Sequence, residues 1–301
     1  MGNYSTDNNG KQDSSSLPVG VNADIDASQY HRTLGLTKSG LMMLRKSPAH
    51  FWQWMTSPPD KTTDAMALGT ATHTLVFEPE KFAKEIVVVP EDAPKKPTSA
   101  QLKAQEPSDK AKESIEWWTA FYKLNEGKCI IDQEDNVMAQ GMARAVMTNE
   151  EVIPYLKHHS AKAELSIVAN ENIKGLSIAC KMRCDLLTMD GTVIIDLKTT
   201  IDSSSEAFSK GFMSLGYWMQ AAHYISIARL AGIPVERFIF VAVEKTPPYS
   251  VAMYELDKAS LDKAFKIRHR LLEQLANCIA TGKYPSHSSG ITSLTMPYWV
   301  S

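Results

Sequence analysis

The stretch between residues 163 and 200 constrains the fold more than any other part of this sequence. Three runs in it have strand-like patterning: Glu164–Val168, Leu176–Leu187 and Val193–Leu197. The last two runs are separated by the dipeptide Asp190-Gly191. Because Asp-Gly flanked by apolar runs is a strong short-range hairpin signal, we predict that these two runs form an antiparallel hairpin.

A two-residue turn at Asp190-Gly191 determines which residues of the two strands face each other. Counting outward from the turn places Asp185 directly opposite Asp196. Directly opposed residues on one sheet face have Cβ atoms roughly 4.5–5.5 Å apart. Lys198 follows Asp196 by two residues and therefore projects from the same face. The register predicts that two carboxylates and one ammonium group share a pocket.

Two carboxylates this close repel each other unless a proton or a cation lies between them. A hard divalent cation suits such an oxygen-rich site, and Mg²⁺ usually binds through one or two carboxylates plus substrate phosphate. The ammonium of Lys198 could then orient or deprotonate a water, or stabilise developing negative charge. This combination suggests metal-assisted phosphodiester hydrolysis. The alternative is a surface hairpin in which Asp196 and Lys198 only form an ion pair; the apolar neighbours of Asp196 favour a buried strand instead.

The rest of the chain predicts helices and a few further strands around this hairpin. The predicted helices are Thr63–Phe77, Lys110–Asn125, Glu134–Met147, Tyr217–Leu230 and a long amphipathic helix that ends at Gly282, and the predicted strands are Val87–Val89, Phe238–Val243 and Val251–Leu256. Ser39 is a plausible N-cap for an earlier helix, and Pro48 opens another. The basic residues of the long helix, including Arg268, indicate a solvated face.

Residues 1–27 are poor in large apolar groups, which predicts a flexible tail before one domain over residues 28–301. We place the catalytic core of that domain at about residues 160–256, while the Pro-rich segment 90–107 has no predicted role.

The composition narrows the class of protein. Apolar residues make up 44% of the 301 residues, which is enough for a substantial core. The net charge of −2 excludes a uniformly basic nucleic-acid binder but allows a local basic channel. Four cysteines in so long a chain predict a reducing, cytoplasmic setting rather than a disulfide framework. The apolar runs are too short to span a bilayer, so we expect a soluble protein with no membrane partner.

In their order along the chain, several motifs resemble those of the PD-(D/E)XK nuclease superfamily, and most closely the RecE-type (exonuclease VIII) phage and prophage exonucleases. The matching motifs are Leu36-Thr37-Lys38-Ser39 at the start, Gly69 to His73 as G-x-x-x-H, Glu164 on the first core strand, Asp185 with Asp196-Leu197-Lys198-Thr199 as the acid and D-x-K signature, Gln220 and Tyr224 as Q-x-x-x-Y, and Tyr284-Pro285 with Pro297-Tyr298-Trp299 at the close. Cys184 departs from the family pattern, since a proline nominally precedes the first acid.

The resemblance implies an α/β fold with a restriction-endonuclease-like core, in which helices flank a central mixed β-sheet and an N-terminal helical extension precedes it. The implied metal-binding residues, for one or two Mg²⁺ or Mn²⁺ ions, are His73, Glu164, Asp185, Asp196 and the Leu197 carbonyl. Lys198 would position and activate the attacking water, so that the implied catalytic residues are Asp185, Asp196 and Lys198.

Gln220 and Tyr224 would contact DNA or orient Lys198. Without the resemblance, His73, Gln220 and Tyr224 could be ordinary helix residues, and Glu164 could simply pair with a Lys or Arg.

The resemblance further implies a metal-dependent exonuclease that degrades linear double-stranded DNA, in the 5′ to 3′ direction. It would leave 3′ single-stranded overhangs for recombination, act as a homo-oligomeric ring, and pass the strand to a RecT-like annealing protein. Two alternatives stay open: a Cas4-like nuclease that acts on single strands or flaps, and a catalytically silent DNA-binding or assembly module of the same fold.

Overall fold

The computed structural model describes residues 18–22, 25, 27–57, 63–287, 290–291 and 293–296. Most of the predicted tail and the closing Pro297-Tyr298-Trp299 motif lie outside these residues. Within the predicted tail, Gly20–Asn22 form the first strand, which pairs with a later strand of the main sheet.

The described residues form eight strands and twelve α-helices. The strands are β1 (Gly20–Asn22), β2 (Ile86–Val88), β3 (Cys129–Ile131), β4 (Lys162–Ile173), β5 (Leu176–Thr188), β6 (Val193–Thr200), β7 (Arg237–Glu244) and β8 (Val251–Glu255). The helices are α1 (Ala27–Arg32), α2 (Lys38–Lys46), α3 (Pro48–Thr56), α4 (Asp64–Phe77), α5 (Phe82–Glu85), α6 (Ser99–Lys103), α7 (Asp109–Leu124), α8 (Gln133–Thr148), α9 (Ile153–Leu156), α10 (Ser205–Ser214), α11 (Tyr217–Leu230) and α12 (Lys258–Thr281).

Six of the strands form one mixed sheet in the order β1-β4-β5-β6-β7-β8, and β2 and β3 form a separate parallel pair. In the large sheet β6 and β7 are parallel, whereas the other neighbouring strands are antiparallel. The prediction of a central mixed sheet flanked by helices is confirmed. No helix among the described residues is long and apolar enough to cross a membrane.

The β5–β6 hairpin has the register that the Asp-Gly turn predicts. Leu186 pairs with Ile195, and Thr188 pairs with Val193. Asp190 and Gly191 have φ angles of 53° and 85°, and the Thr192 N–H donates to the Met189 carbonyl at 3.0 Å. Positive φ at both central residues is the requirement of a type I′ hairpin turn.

Strand pairing is interrupted where the candidate acids lie. The β5–β6 pairing ends at Leu186 and Ile195, although β6 stays paired with β7 as far as Thr200. On the other side of β5, the paired positions flank Glu164 and Asp185, and Glu164 has a φ of 49°. The register therefore brings Glu164, Asp185 and Asp196 into one row across three neighbouring strands, at a point where side chains replace part of the backbone ladder.

Two apolar cores cover the two faces of the sheet. Ile194 packs in the core that contains the apolar residues of α2, α11 and α12, whereas Ile195 and Leu197 pack in the core that contains those of α4 and α8. Because side chains alternate along a strand, Asp196 and Lys198 project toward α11, and the backbone of Leu197 lies within reach of α4.

Two local predictions are wrong. Thr37, not Ser39, is the N-cap of α2, because the Thr37 hydroxyl accepts a hydrogen bond from the Gly40 N–H at 3.2 Å. In α12 the side chain of Arg268 is not solvated: it is 3% exposed and forms a bidentate pair with Glu171, with N–O distances of 3.1 and 2.5 Å. An acidic partner on β4 thus allows a guanidinium inside the core.

Candidate active site

Three potential metal ligands converge from α4, β4 and β5. The ligand atoms of His73, Glu164 and Asp185 all lie within 4.8 Å of one another. The chain positions they come from are far apart, and the fold brings them together where the β5 ladder is interrupted. Imidazole and carboxylate groups in this number can hold a divalent cation.

His73 joins α4 to β6 and β5. Its Nε2 lies 3.0 Å from the Leu197 carbonyl oxygen, and its Nδ1 lies 3.2 Å from Oδ2 of Asp185. Burial lowers the pKa of His73, so the ring is neutral and the hydrogen bond to Leu197 assigns its proton to Nε2. The Nδ1 lone pair then faces a carboxylate oxygen, an arrangement that is favourable only with a cation or a proton between the two atoms. Together with Glu164, which completes a group of three potential ligands, this contact fits a metal ion as well as a proton.

Asp185 is held by backbone as well as by charge. Its Oδ2 accepts a hydrogen bond of 2.8 Å from the Leu197 N–H. Burial, and then the negative charge of Asp196, raise the pKa of Asp185 well above its ordinary value. Without a cation the site therefore favours the protonated carboxyl group, whereas a bound cation would favour the carboxylate.

Glu164 both belongs to the ligand group and forms an ion pair. Its Oε2 accepts a hydrogen bond of 2.6 Å from Nε of Arg183, and Nη1 of the same arginine donates to the Ile25 carbonyl at 2.9 Å. The pKa of Glu164 is raised, first by burial and then by Asp185. The sequence left open whether Glu164 pairs with a basic residue, and in the structure it pairs with Arg183. The other carboxylate oxygen, Oε1, does not take part in that hydrogen bond.

The side chain of Asp196 points toward α11, away from the group formed by His73, Glu164 and Asp185. Its side chain is almost fully buried, at 2% exposure, and is outside the three-residue ligand group. Oδ2 forms an ion pair with Nζ of Lys198, and Oδ1 accepts a hydrogen bond of 2.5 Å from Nε2 of Gln220 on α11. The Asp–Lys ion pair therefore exists, but as a buried pair and not on a surface hairpin.

Lys198 keeps its positive charge. Burial alone would lower its pKa, but the charges of Asp196 and Asp185 outweigh burial and raise it. Its Nζ also lies 4.9 Å from the ring centroid of Tyr217. A protonated amine held in this way can donate to an oxygen that gains negative charge.

The two motif residues of α11 have different surroundings. Gln220 is 8% exposed and holds Asp196, whereas Tyr224 packs against the core with its ring 5.8 Å from that of Phe238. Tyr217 was not singled out from the sequence, although it faces Lys198. The available signal was its spacing: Tyr217 and Gln220 are three residues apart and so share a helix face.

A second group of potential ligands lies at the far end of the hairpin. His158, His159 and Asp190 bring their ligand atoms within 4.8 Å of one another, and Asp190 pairs with His159 at 3.3 Å. The side chains of His159 and Asp190 are 79% and 71% exposed. Solvent therefore competes for both groups, and they lie apart from the buried row of acids.

Comparison with known proteins places the fold in a family. The model of a PDDEXK-like domain of unknown function, DUF3799, matches residues 37–296. Among solved structures, one described as a candidate exonuclease from Eubacterium rectale aligns with a TM-score of 0.55 and 12% identity, covering 91% of this chain and 96% of that one. At this identity the likeness shows a shared fold.

Two further structures align less well. A phage-related exonuclease from Haemophilus somnus has a TM-score of 0.29 and 13% identity, covering 63% of this chain and 92% of that one. An alkaline exonuclease from Laribacter hongkongensis has a TM-score of 0.27 and 14% identity, covering 60% and 87%. Both likenesses are too low to bear on function. No curated protein matches the sequence.

Proposed function

The chain belongs to the PDDEXK-like DUF3799 family, and on that premise we propose that it is a metal-dependent nuclease that hydrolyses phosphodiester bonds of DNA. The observation that carries the proposal is the contact between Nδ1 of His73 and Oδ2 of Asp185, with Glu164 beside it. A neutral imidazole and two carboxylates with raised pKa values form a site that a divalent cation would stabilise.

His73, Glu164 and Asp185 would be the ligands of the ion. Asp196 and the Leu197 carbonyl lie next to this group. A bound Mg²⁺ or Mn²⁺ supplies polarisation of a phosphate oxygen and a bound water of lowered pKa. The hydrogen bond from His73 to Leu197 orients the imidazole, as outer partners of metal-binding histidines commonly do.

The remaining residues position one positive charge. Gln220 fixes Asp196, Asp196 holds the ammonium of Lys198, and the ring of Tyr217 lies beneath that ammonium. Because Lys198 is protonated, we assign it to orient the attacking water and to donate to the phosphate oxygen that gains charge, and not to act as a base. Burial strengthens each of these interactions relative to water.

The resemblance to RecE-type enzymes supports a more specific proposal. We infer an exonuclease for linear double-stranded DNA that proceeds 5′ to 3′ and leaves 3′ overhangs for recombination in the cytoplasm. A homo-oligomeric ring and a RecT-like annealing partner belong to the same proposal.

The decisive experiment is a time course on linear duplex DNA labelled at either the 5′ or the 3′ end, with Mg²⁺ and with EDTA. We expect Mg²⁺-dependent release of nucleotides, first from the 5′ end. Asp185→Asn, Asp196→Ala and Lys198→Ala should abolish release, and the exposed Glu206→Ala should not. Faster digestion of single strands or flaps would support the Cas4-like alternative. Absence of cleavage on every substrate would overturn the proposal in favour of a silent binding module.

Separate measurements of metal binding and cleavage distinguish the roles of these residues. In Asp185→Asn, calorimetry should show weaker Mn²⁺ binding. In Lys198→Ala, Mn²⁺ affinity should stay close to that of the wild type while cleavage is lost. If Lys198→Ala weakened Mn²⁺ binding and cleaved normally once Mn²⁺ was saturating, the role assigned to Lys198 would be contradicted.

A further inference from the structure

A second lysine lies beside Lys198. Lys38 is the first residue of α2, and its Nζ is 5.6 Å from the ring centroid of Tyr217, the same ring that lies 4.9 Å from Nζ of Lys198. Lys38 also donates a hydrogen bond of 2.6 Å to the Leu215 carbonyl, just before α11. Lys38 at the start of α2 and Lys198 on β6 thus place two ammonium groups over one aromatic side chain, that of Tyr217 at the start of α11.

Lys38 differs from Lys198 in having no carboxylate partner. Lys198 pairs with Asp196, whereas none of the ion pairs formed within the described part of the chain includes Lys38. Burial, followed by repulsion from Lys198, lowers the pKa of Lys38 to about 8. The negative charge of Asp196 acts in the opposite direction but does not outweigh them, so the protein compensates the half-buried charge of Lys38 only in part.

The position of Lys38 in its helix adds to this imbalance. The first turn of a helix favours acidic residues, because the macrodipole places partial positive charge there. The first turn of α2 contains no acidic residue and begins with Lys38. The close partners of Lys38, the Leu215 carbonyl and the Tyr217 ring, are neutral, and a local preference broken in this way is typical of a functional position. An anion beside Lys38 would balance this charge.

We propose that Lys38, next to Lys198, binds a phosphate group of the DNA substrate beside the bond to be cleaved. The inference rests on the proposed nuclease function. A lysine is a compact charge suited to phosphate, and the contact would place the backbone of the substrate against the edge of the acidic row. Lys38 is then a substrate-binding residue that the metal-ligand pattern does not reveal.

The test is the salt dependence of DNA binding, measured by fluorescence anisotropy on a short duplex in EDTA so that no cleavage occurs. Each phosphate contact contributes a slope of about 0.9 to the plot of log affinity against log salt. We expect Lys38→Ala to bind DNA several-fold more weakly and to reduce that slope by about 0.9, the contribution of one phosphate contact. Lys38→Arg should retain most of the slope. Lys46→Ala, an exposed lysine in the last turn of the same helix, is the matched control and should bind like the wild type.

Duplexes with phosphorylated and unphosphorylated ends distinguish two sources of the phosphate. A Lys38→Ala effect confined to phosphorylated ends indicates a terminal phosphate, and an equal effect on both indicates an internal phosphodiester; either supports the inference. A wild-type slope in Lys38→Ala, an equal loss in Lys46→Ala, or no DNA binding by the wild type would overturn it. Cleavage assays with Mg²⁺ are read separately. If the wild type does not cleave and yet Lys38→Ala loses one contact, the nuclease function fails and the phosphate site stands.

Discussion

The backbone N–H of Leu197 donates its hydrogen bond to the carboxylate of Asp185, over 2.8 Å, and not to a backbone carbonyl of β5. The two residues lie just beyond the last paired positions of the hairpin, Leu186 and Ile195. The Asp185 side chain therefore replaces a ladder acceptor where β5 and β6 part. One carboxylate group both completes the hydrogen bonding where these two central strands separate and faces His73.

This dual role predicts different outcomes for two substitutions of Asp185. In Asp185→Asn the amide oxygen can still accept from Leu197, and the cost of burying an ionisable carboxyl group beside Asp196 is removed. We expect the free energy of unfolding to be equal to or higher than that of the wild type, while Mn²⁺ affinity and cleavage are lost. Asp185→Ala should lose metal binding and also about 1–2 kcal/mol of stability, because the Leu197 N–H loses its acceptor. Urea denaturation of both variants checks this, and equal destabilisation by Asn and Ala would contradict it.

Gln220 predicts a cost in stability that is separate from catalysis. Its Nε2 donates to the buried Oδ1 of Asp196. Gln220→Leu removes that donor, and leaving a buried acceptor unsatisfied costs roughly 1–3 kcal/mol. Gln53→Leu on α3 is a control, because Gln53 donates to Ser57 at the exposed surface and its loss should change stability by less than about 0.5 kcal/mol. Similar shifts of the urea midpoint in the two variants would show that the buried Gln220–Asp196 hydrogen bond contributes no more stability than an exposed one.

Local signals in the sequence predicted much of the fold. The Asp190-Gly191 turn specifies its own geometry, and counting residues outward from it gives the pairing of Leu186 with Ile195. The bounds of α11, Tyr217–Leu230, agree with prediction because Gly216 precedes it and Gly232 and Pro234 follow it. These features depend on contacts between residues close in the chain.

Contacts between distant residues could not be predicted from local patterns. His73 and Leu197 are 124 residues apart, and only the motif resemblance associated His73 with the site. The positive φ of Glu164 depends on the interruption of the ladder around it, which no propensity indicates. Arg268 was assigned to solvent, and Lys38 was recognised only as part of the opening motif. Neither role could be predicted, since the surroundings of the two side chains come from β4 and from the loop before α11.

The buried pair of Glu171 and Arg268 predicts a large loss on removal of one partner. Arg268 also donates from Nε to Nδ1 of His223 at 3.1 Å, and His223 contacts the Leu36 carbonyl through Nε2 at 3.0 Å. Glu171→Ala leaves the guanidinium buried without a counter-charge, which costs about 3–5 kcal/mol.

The exposed pair of Arg237 and Glu255 is the control, because both side chains are nearly half exposed. Glu255→Ala should cost no more than about 1 kcal/mol. Thermal unfolding measures both variants side by side. A loss in Glu171→Ala as small as that in Glu255→Ala would mean that water reaches Arg268.

Lys181 predicts a stability that increases at alkaline pH. Its Nζ donates to the carbonyls of Tyr30, His31 and Thr33 at the end of α1, and burial lowers its pKa from 10.5 to about 8. Between these two pH values the unfolded chain binds more protons at this position than the folded chain, so the free energy of unfolding rises with pH.

The rise attributable to Lys181 is about 3 kcal/mol from pH 8 to 10.5, since one pKa unit corresponds to about 1.4 kcal/mol. Lys181→Met removes the titrating group, so the stability of the wild type minus that of the variant should increase over this interval. Urea denaturation at pH 7.5, 9 and 10 measures the difference, in which the other titrating groups cancel to first approximation. A difference that stays constant with pH would mean that Lys181 titrates normally in the folded protein.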